Sequence, residues 1–123
     1  MKKGFTLVEI IAILIILAVI STIALPAVIS AIEDSRQRAY DSQVNIIIES
    51  AKKWGVENTE LLPTGDSTYK LYLSKLVNEQ YVANAENGKI RNPKNSKSYM
   101  EGCIYISFNE TYNQYIYEYK DGC

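Results

Sequence analysis

Histidine is missing from all 123 residues, tryptophan occurs once, and there are only two cysteines, Cys103 and Cys123. Without histidine, a serine or cysteine nucleophile lacks its usual base. No glycine-rich phosphate loop, zinc spacing or calcium loop is present, and the acids are scattered, mostly beside lysines. An enzyme is not expected, and neither is a bound metal or other cofactor. Charge of one sign is also lacking: the net charge is −1. That balance does not favour nucleic acid as the main partner.

What is present is an unbroken apolar run behind a short polar start. Lys2-Lys3-Gly4-Phe5-Thr6-Leu7-Val8-Glu9 is followed by residues 10–32, which carry no charge. The run is about long enough to cross a bilayer as one helix. Glu9, at its front edge, is the odd residue. A carboxylate at the membrane margin costs roughly a few kcal/mol unless it finds a partner. An anchor alone gains nothing from that cost, whereas a subunit whose neighbour brings a positive charge to the site does. Lysines ahead of the run place the start of the chain in the cytoplasm and the remainder outside, where disulfides are permitted.

Gly-Phe-Thr-Leu-Val-Glu ahead of an apolar helix resembles the leader and processing site of type IV prepilins and the related pseudopilins. The likeness covers residues 2–32 and includes Pro26, where the family usually has a proline in its first helix. The Gram-positive, clostridial kind of type IV pilin is the nearest. The resemblance implies cleavage between Gly4 and Phe5 by a prepilin peptidase that also methylates the new amine of Phe5. Glu9 would then be the fifth mature residue. In the family, the corresponding glutamate pairs with the N-terminal amine of a neighbouring subunit during assembly. Physically, such a pair gains a large attraction at low dielectric and loses a comparable amount to desolvation, so it serves best as a register device. Loss of Lys2 and Lys3 would leave eleven basic side chains against fourteen acidic ones, a balance of −3.

The expected organisation is a leader at 1–4, a membrane or filament-core half of the first helix at 5–32, and an extracytoplasmic head at 33–123. The first helix is expected from about Phe5 to Trp54, with a kink or a locally melted turn at Pro26. Past Ile32 it becomes amphipathic. Tyr40, Val44, Ile47, Ile48, Ala51 and Trp54 recur at helical spacing and ask for cover, opposite a polar face of Asp41, Gln43, Asn45, Glu49 and Lys52. Gly55 reads as the helix stop. A second helix is expected from about Thr68 to Tyr81. Asn84 to Ser98 reads as loop, with at most a weak strand at Lys89–Arg91. Two strands, Cys103–Phe108 and one carrying Tyr115, Tyr117 and Tyr119, form a hairpin around Asn109–Tyr112. A two- or four-residue connection would pair Ile104 and Ile106 with Tyr117 and Tyr115 and lay that face on the first helix. The fold class is α+β and pilin-like: a long N-terminal helix packed on a small antiparallel sheet with a short second helix.

Two further groups stand out. Cys103 and Cys123 either form one disulfide or remain separate thiols. A bond would close a loop of about 20 residues, worth roughly 3 kcal/mol if unstrained. Strict hairpin pairing does not bring Cys123 opposite Cys103, so the tail would have to curl back at Asp121-Gly122; a C-terminal disulfide loop is common in the family. Lys89, Arg91, Lys94 and Lys97, with Tyr99 near, are either solvated loop residues or a contact for DNA phosphate. The tyrosine-rich end of the chain reads as hairpin core.

The function expected is structural: a subunit of a type IV pilus-like filament, held in the cell membrane until it is extracted and polymerised through its N-terminal helix. The implied partners are copies of itself, a prepilin peptidase, and an assembly platform with an ATPase. Two other readings are a minor or competence pilin that binds DNA and a pseudopilin of a secretion system, acting as a piston.

Overall fold

The computed structural model describes residues 4–83 and 86–123. Lys2 and Lys3, and Asn84 at the start of the expected loop, lie outside the described residues. The chain divides into two compact units, the first ending at Arg36 and the second running from Gln37 to Cys123. One helix, α1 (Leu7–Glu57), contributes to each.

From Leu7 onward the first unit is helix. Apolar side chains spaced all round it leave no polar face, which is the pattern of a helix surrounded by apolar material. None of them is covered within the chain: Ile10 is 46 % exposed and Ile23 75 %. This helix is long and apolar enough to span a membrane. Its backbone stays helical on both sides of Pro26, with no melted turn.

In the second unit, α1 is followed by a 3-10 turn at Thr59–Leu61, then β1 (Thr68–Tyr72), α2 (Leu73–Asn78), β2 (Ile90–Asn92), β3 (Asn95–Met100), β4 (Gly102–Asn109) and β5 (Gln114–Asp121). A three-stranded antiparallel sheet has the order β1-β4-β5, and β2 and β3 form a separate antiparallel pair. Alternation along β4 turns Ile104 and Ile106 to the core. Ile47, Ala51 and Trp54 of α1 join them there, with Leu71 of β1 and Leu76 of α2. Trp54 stacks on Tyr69, ring centroids 5.5 Å apart. The amphipathic stripe therefore finds its cover, and the architecture is the α+β, pilin-like one.

Four expectations need correction. Thr68–Tyr81 is not one helix: its first five residues pair with β4, Tyr69 opposite Ile106 and Leu71 opposite Ile104, before α2 begins. A short apolar stretch fits both periods, and here the open edge of β4 decides the contest. Leu71 is fully buried between exposed Lys70 and Tyr72, the alternation of a strand. Asn84–Ser98 is not simply loop, because Ile90–Asn92 forms β2 and the chain from Asn95 forms β3, the two held to the core by Ile90 and Met100. Gly55 is not a stop. α1 runs on to Glu57, and a Cβ at Gly55 would collide with the Tyr117 hydroxyl, so glycine here permits close helix-to-sheet approach. The helix ends instead at Asn58, whose Nδ2 donates to the Trp54 carbonyl at 2.9 Å.

The hairpin register differs by two residues from the expected one. Ile104 faces Tyr119, Ile106 faces Tyr117, and Phe108 faces Tyr115. A shift of two keeps every side chain on its face, so the tyrosines still cover the core. The connection is four residues, Glu110–Asn113, with Asn113 at φ +53° and the Asn109 side chain accepting from the Thr111 amide at 2.9 Å.

Candidate assembly surface

The residues expected to act are grouped at the front of α1. Gly4 and Phe5 precede the helix, and Phe5 is 79 % exposed. Thr6 is the residue before Leu7, where the helix starts. Its backbone N–H donates to Glu9 Oε2 at 3.1 Å, and the Glu9 N–H donates to Thr6 Oγ1 at 3.3 Å. This reciprocal pair is a capping box, which satisfies two amides that the first turn leaves without partners. The carboxylate also lies at the positive end of the helix dipole. Glu9 therefore has a partner inside its own chain. The signal for it, Thr-x-x-Glu directly before an apolar run, stands in the sequence at Thr6–Glu9, and the charge of Glu9 taken alone does not disclose it.

Behind the cap, residues 10–32 offer an uninterrupted apolar surface. Two of its three polar side chains are turned back on the helix: Ser21 Oγ donates to the Leu17 carbonyl and Thr22 Oγ1 to the Val19 carbonyl, each at 2.7 Å. Such bonds hide hydroxyls from an apolar surrounding. Pro26 sits well inside this stretch, where it withholds one backbone donor.

In the second unit, Cys103 and Cys123 are joined by a disulfide, Cα atoms 5.9 Å apart. Cys103 itself faces Lys120 across the ladder. The tail reaches back through Gly122, which adopts φ +68° and donates its amide to the Glu101 carbonyl at 2.8 Å. Gly102, opposite, has no room for a side chain beneath the Tyr119 ring. Burial raises Tyr119 well above the usual phenol range, helped by the Asp121 charge and by its hydrogen bond to Asp121. Burial also raises Tyr117 and Tyr40.

The four cations of the expected loop are brought onto one hairpin. Arg91 pairs with Glu86 at 3.3 Å and donates to the Ser96 carbonyl at 3.0 Å. Lys89 and Arg91 both lie over the Tyr99 ring, and Lys94 lies 4.2 Å from the Tyr40 ring centroid. No group of three or more His, Cys, Asp or Glu side chains suited to a metal ion occurs among the described residues. A cleft of about 240 Å³ opens between α2 and the β2–β4 region, with Val77, Ile90 and Met100 in its wall.

Compared with known proteins, the chain matches no family model, no curated protein and no solved structure. What stands is the architecture: a long apolar N-terminal helix whose second half packs on a small antiparallel sheet, compatible with a pilin-like fold.

Proposed function

We propose that this chain is a structural subunit of a type IV pilus-like filament, with no catalytic role. The observation that carries the reading is the contrast within α1. The second unit closes its core with residues from Ile47 onward, while every apolar side chain from Ile10 to Ile32 is left exposed. A surface of that length must be covered by lipid or by other helices. In the proposed life cycle it is covered first by the membrane and then by the same stretch of neighbouring copies. The disulfide fits an oxidising compartment outside the cytoplasm.

Processing would cut between Gly4 and Phe5, and the same prepilin peptidase would methylate the new Phe5 amine. An assembly platform with its ATPase would then extract the subunit. Glu9 uses Oε2 for its own cap. A carboxylate has acceptor capacity at both oxygens, so Oε1 is left for the amine of a neighbour. The test combines mass spectrometry and electron microscopy on cells producing the full chain. The expected result is filaments in which this chain is the bulk component, each copy starting at a methylated Phe5. Assembled protein that still begins at Met1, or the absence of filaments with all the processed chain in the membrane, refutes the reading.

A further inference from the structure

We infer that the free edge of the three-stranded sheet is a contact surface for a second copy of this chain. The β5 strands of two copies pair antiparallel about a two-fold axis at Tyr119 and join their sheets into one. This goes beyond the filament reading and does not rest on it.

β5 borders β4 on one side and no strand on the other. None of its eight residues is buried, no proline interrupts it, and its register with β4 runs from Gly102–Asp121 to Asn109–Gln114 without a bulge. A long, regular edge of this kind is a template for another strand. β1, the opposite edge, has five residues and passes directly into α2. The direction of the free backbone groups follows from the ladder. The Gly122 amide donates to the Glu101 carbonyl, which makes that facing pair a hydrogen-bonded one. Antiparallel pairs alternate, so Ile116, Glu118 and Lys120 also spend their backbone groups on β4. Tyr115, Tyr117, Tyr119 and Asp121 turn theirs outward.

The charges of β5 then select the partner. Glu118 and Lys120 are exposed on the face away from the core, and among the described residues neither has an ion-pair partner. Lys120 lies over the Tyr105 ring of its own β4, 4.9 Å from the centroid, which keeps it on that face. With the axis at Tyr119, Tyr119 faces Tyr119 and Tyr117 faces Asp121, and each such pair exchanges two backbone bonds. In the same register Glu118 of each copy faces Lys120 of the other, at the positions where facing side chains come closest. Moving the axis by one residue sets Glu118 against Glu118 or Lys120 against Lys120, which is unfavourable across strands. Moving it by two sets Glu118 against Ile116 or Lys120 against Gly122, and the ion pairs are lost. Charges on an edge commonly keep other strands away. Here they reject the neighbouring registers and favour one, because Glu followed two residues later by Lys is its own complement when the strand is reversed.

The axis stands normal to the sheet and so reverses the stretch of α1 packed on it. Subunits of one filament all point one way. On the filament reading, this contact therefore joins copies in two filaments that lie side by side and run in opposite directions.

The experiment is sedimentation velocity on the full chain purified in detergent. The native chain is expected to form a dimer that weakens as salt rises. Glu118→Lys and Lys120→Glu are each expected to raise its dissociation constant by about tenfold. Glu118→Lys combined with Lys120→Glu restores the opposite-charge facing and is expected to return the native constant. The two single variants, mixed, are expected to pair with each other. Both positions are exposed, so none of these changes reaches the core. A monomeric native chain overturns the proposal. So does a dimer that neither single change weakens, which places the contact on the apolar helix. Loss without recovery in the double variant or the mixture also overturns it, and assigns Glu118 to another cation, such as Lys70 on the β1 edge of the next copy. Each of these outcomes leaves the filament reading standing, because filaments are scored separately by electron microscopy.

Discussion

Ile16 and Trp54 belong to one helix and meet opposite fates: Ile16 is 58 % exposed, and Trp54 is fully buried. The difference is periodicity. From Tyr40 to Trp54 apolar residues return every three or four positions and share one side, so a single sheet can cover them. From Ile10 to Ile32 they occupy every side, and no one face of a small domain could. The same backbone is thus suited to two surroundings, a folded core and a medium that is apolar all round. On the proposed function, stability belongs to the covered stretch and assembly to the exposed one, and substitutions can separate them.

The largest effect expected comes from matched truncations in the two stretches. Trp54→Ala removes the biggest fully buried side chain, its stack on Tyr69 and its bond to Glu79. A loss of about 3–5 kcal/mol is expected, enough to unfold a small domain. Ile16→Ala removes no contact in the second unit and should leave its unfolding unchanged. Chemical unfolding of the full chain in detergent, followed by the near-ultraviolet circular dichroism of its tyrosines, measures both. Equal losses would mean that the first unit contributes to the core of the second and that the division is mistaken.

A smaller effect sharpens where the covered stretch touches its sheet. Gly55→Ala places a methyl against the Tyr117 hydroxyl, and overpacking of this kind costs about 1–3 kcal/mol. In an open helix interior the same change would be favourable by about 0.5–1 kcal/mol. Tyr117→Phe removes the hydroxyl, after which the ring carbon Cζ stands 3.3 Å from the new methyl. Gly55→Ala is therefore expected to destabilise the native chain and to cost much less in the Tyr117→Phe background. The midpoint of thermal unfolding reads both, and a Gly55→Ala midpoint at or above the native one would show that the glycine marks no contact.

Long, strongly patterned segments were the legible part of the fold. The apolar run, the stripe through Ile47, Ala51 and Trp54, and the strands around Ile104 and Tyr117 follow from period alone. What stayed hidden was decided by partners distant in sequence. Thr68–Tyr72 satisfies a helical spacing, and only the free edge of β4 makes it a strand. Asn95–Tyr99 has almost no apolar content, and Ile90 and Met100 at the hairpin's ends fix it to the core. Gly55 looked like a terminator because the residue pressed against it, Tyr117, lies sixty-two positions away. At the front of α1 the reverse happened. Thr6 and Glu9 are three residues apart, and their reciprocal bonds were readable locally once Glu9 was considered as an acceptor as well as a charge.

The smallest effect on the folded chain, and the most informative for Glu9, comes from dividing those two roles. A capping box accepts glutamine at the position of glutamate, since either side chain can accept from the Thr6 amide. Glu9→Gln therefore keeps the cap and removes the charge. Thr6→Ala keeps the charge and removes the hydroxyl that accepts from the Glu9 amide, at a cost of about 1 kcal/mol confined to the first turn. Neither change touches a buried residue of the second unit, so its unfolding should not move. If Glu9 acts in assembly by pairing with a neighbour's amine, Glu9→Gln yields processed subunits and scarce filaments, while Thr6→Ala still builds them at somewhat reduced yield. If the ordered first turn is what matters, the ranking reverses: Thr6→Ala fails and Glu9→Gln assembles normally. Filament counts for the two variants, set beside equal processing on a gel, decide whether the carboxylate at the front of the apolar helix serves the next subunit or only its own.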